Sequence, residues 1–123
     1  MMSVPTNLNY TAEHEWLDTT SGTATVGITL YAADALGDVV FVKLPDIGSS
    51  VTAGQVCGEL ESTKSLSDLY APVTGKVVET NLAAVENPAM INQDPYGAGW
   101  LFKVEIASLG SLLTAQEYQA QIS

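Results

Sequence analysis

The chain contains no arginine and only four lysines, Lys43, Lys64, Lys76 and Lys103, against fourteen Asp and Glu, so its net charge is −10 at neutral pH. Binding to nucleic acid needs clustered cations that displace counterions from phosphates, and attachment to an anionic membrane surface needs them as well. The four lysines are scattered. Neither partner fits; a basic protein surface or a cationic ligand does. One histidine, His14, is too few for a metal site built on several imidazoles. One cysteine, Cys57, excludes a disulfide within the chain, so a reducing compartment, the cytoplasm, is expected. No apolar stretch approaches the roughly 20 residues that span a bilayer. Met1 to Pro5 has neither the basic nor the apolar part of a signal peptide, and an Arg-rich transit segment is also missing. Also missing are a Gly-x-Ser-x-Gly nucleophile elbow and a Gly-x-x-x-x-Gly-Lys phosphate loop.

What is present is a chain of 123 residues, 46% of them hydrophobic, with ten Gly and five Pro spread along it. That predicts one domain, residues 1–123, of short elements joined by tight turns. Thr23 to Ile28 alternates as a half-buried strand. Thr29 caps a short helix over Leu30 to Leu36, ended by Gly37. Val39 to Leu44 and Val56 to Glu61 read as strands, Asp68 to Ala71 as an extended run, Pro72 and Gly75 as brackets of a turn, and Lys76 to Thr80 as a further strand. Leu82 to Asn92 is a loop or a short helix, limited by Pro88. Asp94-Pro95-Tyr96-Gly97 is a turn. Trp100, Phe102, Val104 and Ile106 fall on one face of a strand, Leu101, Lys103 and Glu105 on the other. Thr114-Ala115-Gln116-Glu117 is a capping box that opens a terminal helix. The sum is a mostly β protein, a sandwich or barrel with small helices. A weak internal echo puts Lys64 at a tip joining two half-sheets.

Few residues point to chemistry. His14 lies between Glu13 and Glu15, either a base with carboxylates or a boundary histidine beside Trp16. Cys57 has acids near it, which oppose thiolate formation, so it reads as a small buried side chain. Trp16 and Trp100 read as core. The informative segment is Glu59-Leu60-Glu61-Ser62-Thr63-Lys64-Ser65-Leu66-Ser67-Asp68. A lone lysine stands there in a hydroxyl-rich turn between strands, as a solvated lysine or as a modification site that a ligase can reach.

Longer motifs decide between those alternatives. They are Tyr10-Thr11-Ala12-Glu13-His14-Glu15-Trp16, Ala24-Thr25-Val26-Gly27-Ile28-Thr29, Leu36-Gly37-Asp38-Val39-Val40-Phe41-Val42, Leu44-Pro45, Glu61-Ser62-Thr63-Lys64, Ser67-Asp68, Ala71-Pro72-Val73-Thr74-Gly75 and Asn92-Gln93-Asp94-Pro95-Tyr96-Gly97-Ala98-Gly99-Trp100. In this order and spacing, from Tyr10 to Tyr118, the chain resembles the H proteins of the glycine cleavage system, which are lipoyl carriers. The resemblance implies a barrel-sandwich hybrid fold of the lipoyl and biotinyl carrier type, with flanking helices that include a C-terminal one. It implies lipoic acid in amide linkage to Lys64, which makes the protein one charge more acidic. It implies a non-catalytic carrier. Its arm takes the aminomethyl group from a pyridoxal-phosphate glycine decarboxylase (P protein) to a tetrahydrofolate-dependent aminomethyltransferase (T protein). Dihydrolipoyl dehydrogenase (L protein) then reoxidises the arm. A lipoate ligase, or an octanoyltransferase with lipoyl synthase, loads it. Glu15 and Asp68 match positions that contact the loaded arm. Glu13, two residues before Glu15, lies on the same side if the strand alternation extends that far.

Related carriers compete with this reading. Thr63 and Ser65 flank Lys64, where biotin carriers have Met. Lipoyl domains of 2-oxo acid dehydrogenases are shorter and attached through linkers, and this chain has no linker composition. A lipoate relay that donates lipoyl groups to other apoproteins stays open. An acid-pair glycosidase rests on carboxylate pairs that fourteen acids supply by chance.

Overall fold

The computed structural model describes residues 4–122, including every side chain in that range except those of Thr20 and Ser21. Met1 to Ser3, part of the segment read above for targeting features, and Ser123 lie outside the described residues. Strands β1 (Asn9–Tyr10), β2 (Glu15–Ser21) and β3 (Thr23–Ile28) form an antiparallel meander. Side chains along a strand alternate between faces. Leu17 therefore enters the main core with Ala24 and Val26, while its neighbour Trp16 enters a second cluster with Leu8, Tyr10 and Tyr118. Both faces of this part of the sheet are covered, which is why β2 reads as apolar without interruption at Trp16-Leu17.

The chain continues through α1 (Leu30–Leu36), β4 (Val39–Lys43), β5 (Ser50–Val51), β6 (Val56–Ser62), β7 (Leu66–Tyr70) and β8 (Val73–Thr80). After these come α2 (Leu82–Glu86), α3 (Ala89–Gln93), β9 (Phe102–Leu109) and α4 (Ala115–Ile122). One antiparallel sheet has the order β1-β2-β3-β9-β8-β5, the other β4-β6-β7. Val42, Leu60 and Leu69 of the smaller sheet share the main core with Val26, Val77, Phe102 and Val104 of the larger. Two sheets stacked on one apolar layer make the barrel-sandwich expected from the sequence. The second cluster is closed by α4, whose Tyr118 ring stacks on Tyr10 at 4.7 Å.

Local signals translate directly. Ala32 N–H donates to the Thr29 hydroxyl (3.2 Å) to open α1, and Gly37, with φ of 80°, accepts the left-handed turn that ends it. The capping box is reciprocal: Glu117 N–H donates to Thr114 Oγ1 (3.2 Å) and Thr114 N–H to Glu117 Oε1 (2.9 Å). Leu82 to Asn92 forms two single-turn helices, α2 and α3, separated at Asn87-Pro88.

Three expectations change. Gly75 lies inside β8, not at the edge of a turn; a Cβ there would stand 2.1 Å from the Glu105 carbonyl oxygen, so glycine marks a close strand approach. Trp100 and Leu101 precede β9, which breaks the predicted alternation. Leu101 is fully buried in the main core with Phe102, and Trp100 packs against the second cluster. Lys64 sits on the β6–β7 hairpin within one sheet, so it does not join two half-sheets.

Asn92 on α3 ties the elements around Lys64 together. Its Oδ1 accepts from Val39 N–H (2.9 Å) at the start of β4, and its Nδ2 donates to the Gly37 carbonyl (2.8 Å) at the end of α1. Asn92→Ala leaves both backbone groups without that partner. The expected cost is roughly 2 kcal/mol, a fall in Tm of about 8 °C in a thermal melt. A fall of under about 2 °C would mean that water replaces the amide.

Candidate functional site

The turn that carries Lys64 is built by Ser62, the last residue of β6 and a buried one. Ser62 N–H donates to the Ser65 carbonyl (2.8 Å), which closes the hairpin. The Ser62 hydroxyl accepts from Lys64 N–H (3.1 Å) and Ser65 N–H (3.0 Å), so the turn amides are held by a side chain of its own strand. Thr63 N–H donates to the Asp38 carbonyl (3.0 Å), fastening the tip to the residue before β4. The exposed Lys64 stem passes over Gly37, where a Cβ would stand 2.7 Å from Cε. Its amine has no ion-pair partner among the described residues. Lys103, by contrast, faces Glu79 (3.8 Å) and lies 5.1 Å from the Trp100 ring centre. Lys43 and Lys76 lie within β4 and β8.

Beside this hairpin is a cleft of about 300 Å³. Its apolar wall includes Ile28, Leu36, Leu60 and Leu69, and its polar groups include Glu13, His14, Glu15, Ser65 and Asp68. Glu13, Glu15 and Asp68, the three carboxyl groups expected beside the arm, all line this cleft. Asp68 is exposed on the edge strand β7. Glu13 is exposed and reaches the cleft by another route than strand alternation. It precedes β2, and His14 takes a φ of 71°, so residues 11–15 form a tight loop. His14 N–H donates to the Thr11 carbonyl (3.2 Å) and Thr11 N–H to the Glu15 carbonyl (3.0 Å) within that loop.

Glu15 is different in kind, being only 2% exposed. Its Oε1 accepts the Thr11 hydroxyl at 2.6 Å, and the backbone N–H of Tyr70 reaches the same carboxyl group. Burial pushes its pKa up to about 8, and the charge of Glu13 adds to the rise; the Thr11 and Tyr70 hydrogen bonds act against it. Burial likewise raises Cys57 to about 12, helped by the charge of Glu15, so the thiol is the inert side chain expected from the sequence.

His14 does not act as a free base here. Its Nδ1 lies 2.8 Å from the Tyr118 hydroxyl, which also meets Thr29 Oγ1 at 2.8 Å, and its ring packs 4.8 Å from Tyr31. Desolvation lowers its pKa, partly opposed by Glu13, which favours the neutral ring. This junction joins the cleft wall, the α1 cap and α4. The sequence signalled only the Thr29 cap. Tyr118 lies 104 residues from His14, and nothing local to either residue marks the contact. Ser62 and Thr11 were missed for a similar reason, since a hydroxyl's partner is set by the bend of the chain around it.

The buried Glu15 carboxyl makes stability depend on pH with a defined sign. Between the ordinary value near 4.5 and about 8, the folded chain keeps a proton that the unfolded chain releases. The stabilisation is complete below about 4.5 and is lost as pH rises to about 8. Urea unfolding of the wild type and Glu15→Gln at pH 5, 7 and 8.5 should show Gln gaining relative to Glu by on the order of 3 kcal/mol across that range. A pH-independent difference would mean that the carboxylate is solvated in the folded state.

Comparison with known proteins accords with this geometry. The Glycine cleavage H-protein family profile matches residues 8–123. A glycine cleavage system H protein of Beutenbergia cavernae is 63% identical over 122 residues, 99% of this chain and 98% of that protein. One of Thermobifida fusca is 59% identical over 118 residues, 95% of this chain and 94% of that protein. The crystal structure of a glycine cleavage system H protein from Mycobacterium marinum superposes with a TM-score of 0.93 at 53% identity, covering 97% of this chain and 98% of that one. With that extent of sequence and structural agreement, the chain belongs to the glycine cleavage H-protein family.

Proposed function

We propose that Lys64 carries lipoic acid in amide linkage and that the cleft beside it shelters the aminomethyl cargo between enzymes. Family membership makes the chain the lipoyl carrier of the glycine cleavage system; the residues that do the work are our reading. The observation that carries it is the position of the Lys64 amine on a clamped hairpin tip, next to a cleft with a carboxyl rim and an apolar wall.

The residues present fit the group. An arm attached at Lys64 starts at the cleft's edge, and Ile28, Leu36, Leu60 and Leu69 offer an apolar surface for its hydrocarbon part. When bound, lipoate supplies a disulfide that accepts the aminomethyl group and electrons together. The protein's own contribution is positional. Ser62 and Thr63 hold the attachment point still, the cleft excludes water, and Glu15 and Asp68, with Glu13 at the rim, offer anionic partners to a cationic amine. The chain is a non-catalytic carrier, and the chemistry belongs to its partners. These are the P, T and L proteins, with a lipoate ligase, or an octanoyltransferase and lipoyl synthase, to load Lys64. The whole chain, residues 1–123, serves as one lipoyl-carrier domain, in the cytoplasm. Among the described residues no helix is long and apolar enough to cross a membrane.

Two measurements test this. Intact mass after expression with lipoate and a ligase should show one lipoyl group, absent in Lys64→Arg; modification at Lys43, Lys76 or Lys103 would overturn the assignment. The loaded carrier with Asp68→Asn should lose its aminomethyl group to water about fivefold faster, the loss of one partly solvated ionic contact. An unchanged rate removes Asp68 from the site.

A further inference from the structure

Glu15 lies in the wall between two cavities. One is the cleft beside Lys64; the other, of about 370 Å³, is lined by the Thr11–Glu13 loop, Tyr70 and Pro72. The carboxyl group thus borders both spaces while the residue is only 2% exposed. Among the described residues no cation pairs with it. On its own loop stand Glu13 and His14; facing it are the Cys57 thiol on β6, Asp68 on the cleft side of β7, and the Tyr118 hydroxyl on α4. Cys57 and Tyr118 are both raised to about 12, and His14 is shifted toward its neutral form. A carboxylate in this place would have a hydroxyl and one backbone N–H to hold its charge, amid carboxyl neighbours. Ionising it in an empty cleft is costly.

We infer that Glu15 is the proton store of the cleft: it keeps its proton while the cleft is empty, gives it to the amine of the cargo on entry, and takes it back on departure. The inference rests on the reading of Lys64 as the lipoylated residue. The exchange balances within the pair. On entry the Glu15 O–H bond breaks, an N–H bond forms from the nitrogen lone pair, and carboxylic acid plus free amine become carboxylate plus ammonium. No proton is drawn from solvent and the net charge of the cleft does not change. The transfer also controls reactivity. Expelling sulfur from the cargo carbon requires the nitrogen lone pair to form a carbon–nitrogen double bond. With that pair held in an N–H bond, the carbon–sulfur bond is secure. Departure returns the proton to Glu15 and the lone pair to nitrogen, so the cargo becomes transferable where a receiving enzyme holds it. The shelter therefore protects by protonation as well as by keeping water out.

The test begins with the lipoylated, unloaded carrier. Infrared difference spectra between wild type and Glu15→Gln should show one buried protonated carboxyl at pH 7, titrating away near pH 8. Thr11→Val removes a hydrogen bond that favours the carboxylate and should move that midpoint upward. In the aminomethylated carrier, Glu15→Gln should lose cargo at least about tenfold faster at pH 7, corresponding to a lost charged hydrogen bond. The acceleration with rising pH should start lower than in the wild type. No protonated carboxyl band at pH 7, a midpoint that Thr11→Val leaves in place or lowers, or superimposable pH profiles of cargo loss would each overturn the proton store. Lys64 lipoylation and cleft docking would survive those results. Absence of lipoate on Lys64 in the mass experiment would instead remove the reading beneath it.

Discussion

The structure around the site depends on burying the Glu15 carboxyl group against Thr11 and the Tyr70 backbone. The Thr11 hydroxyl donates to it at 2.6 Å, and the same oxygen accepts Glu13 N–H and Glu15 N–H, both at 3.3 Å. One threonine thus fixes the loop before β2 and the first side chain of β2. The Tyr70 N–H reaches the carboxyl group from the other sheet. The next residues continue the division of labour: Trp16 in the outer cluster, Leu17 in the main core. Three consecutive residues reach the cleft and both hydrophobic clusters, because the alternation of a strand leaves no freedom once Leu17 is buried.

The fixing of the Lys64 hairpin and the walling of the cleft beside it are separate features, and different parts of the fold supply them. The hairpin is held by Ser62, by the Thr63–Asp38 bond and by Asn92 behind α1 and β4. The cleft is walled by apolar side chains of β3, α1, β6 and β7. Gly37 belongs to both, since its positive φ ends α1 and its missing side chain makes room for the Lys64 stem. A larger residue there would be strained in its backbone and would press on the Lys64 stem.

The sequence was most legible where structure is local. The β3 alternation, the Thr29 cap and the Thr114–Glu117 box each involve residues within a few positions, and each stands as read. Expectations failed where distant chain enters. Leu101 leaves the predicted alternation because its N–H bonds the Val26 carbonyl and its carbonyl receives Asn81 N–H. Gly75 resembled a turn glycine because the approach of Glu105, thirty positions on in sequence, leaves no local trace. Lys64 could not be chosen over an ordinary turn lysine by physics alone; motif resemblance chose it. The resemblance also named Glu15 and Asp68, but it did not separate them. Their unlike character, one buried and one exposed, comes from Thr11, Tyr70 and Cys57 converging on one carboxyl group only.

The scarcity of cations in the sequence acquires a physical meaning at this point. The chain has no arginine and four lysines, and among the described residues no cation stands close enough to the buried Glu15 carboxyl to fix it as a permanent anion. A lysine or arginine beside Glu15 would satisfy the charge. It would also hold the carboxyl group ionised, so that it could neither give nor receive a proton. Leaving it unpaired costs stability as pH rises, and the two packed clusters offset that cost. What results is a cleft in which one buried carboxyl group stands beside the exposed carboxyl groups of Glu13 and Asp68.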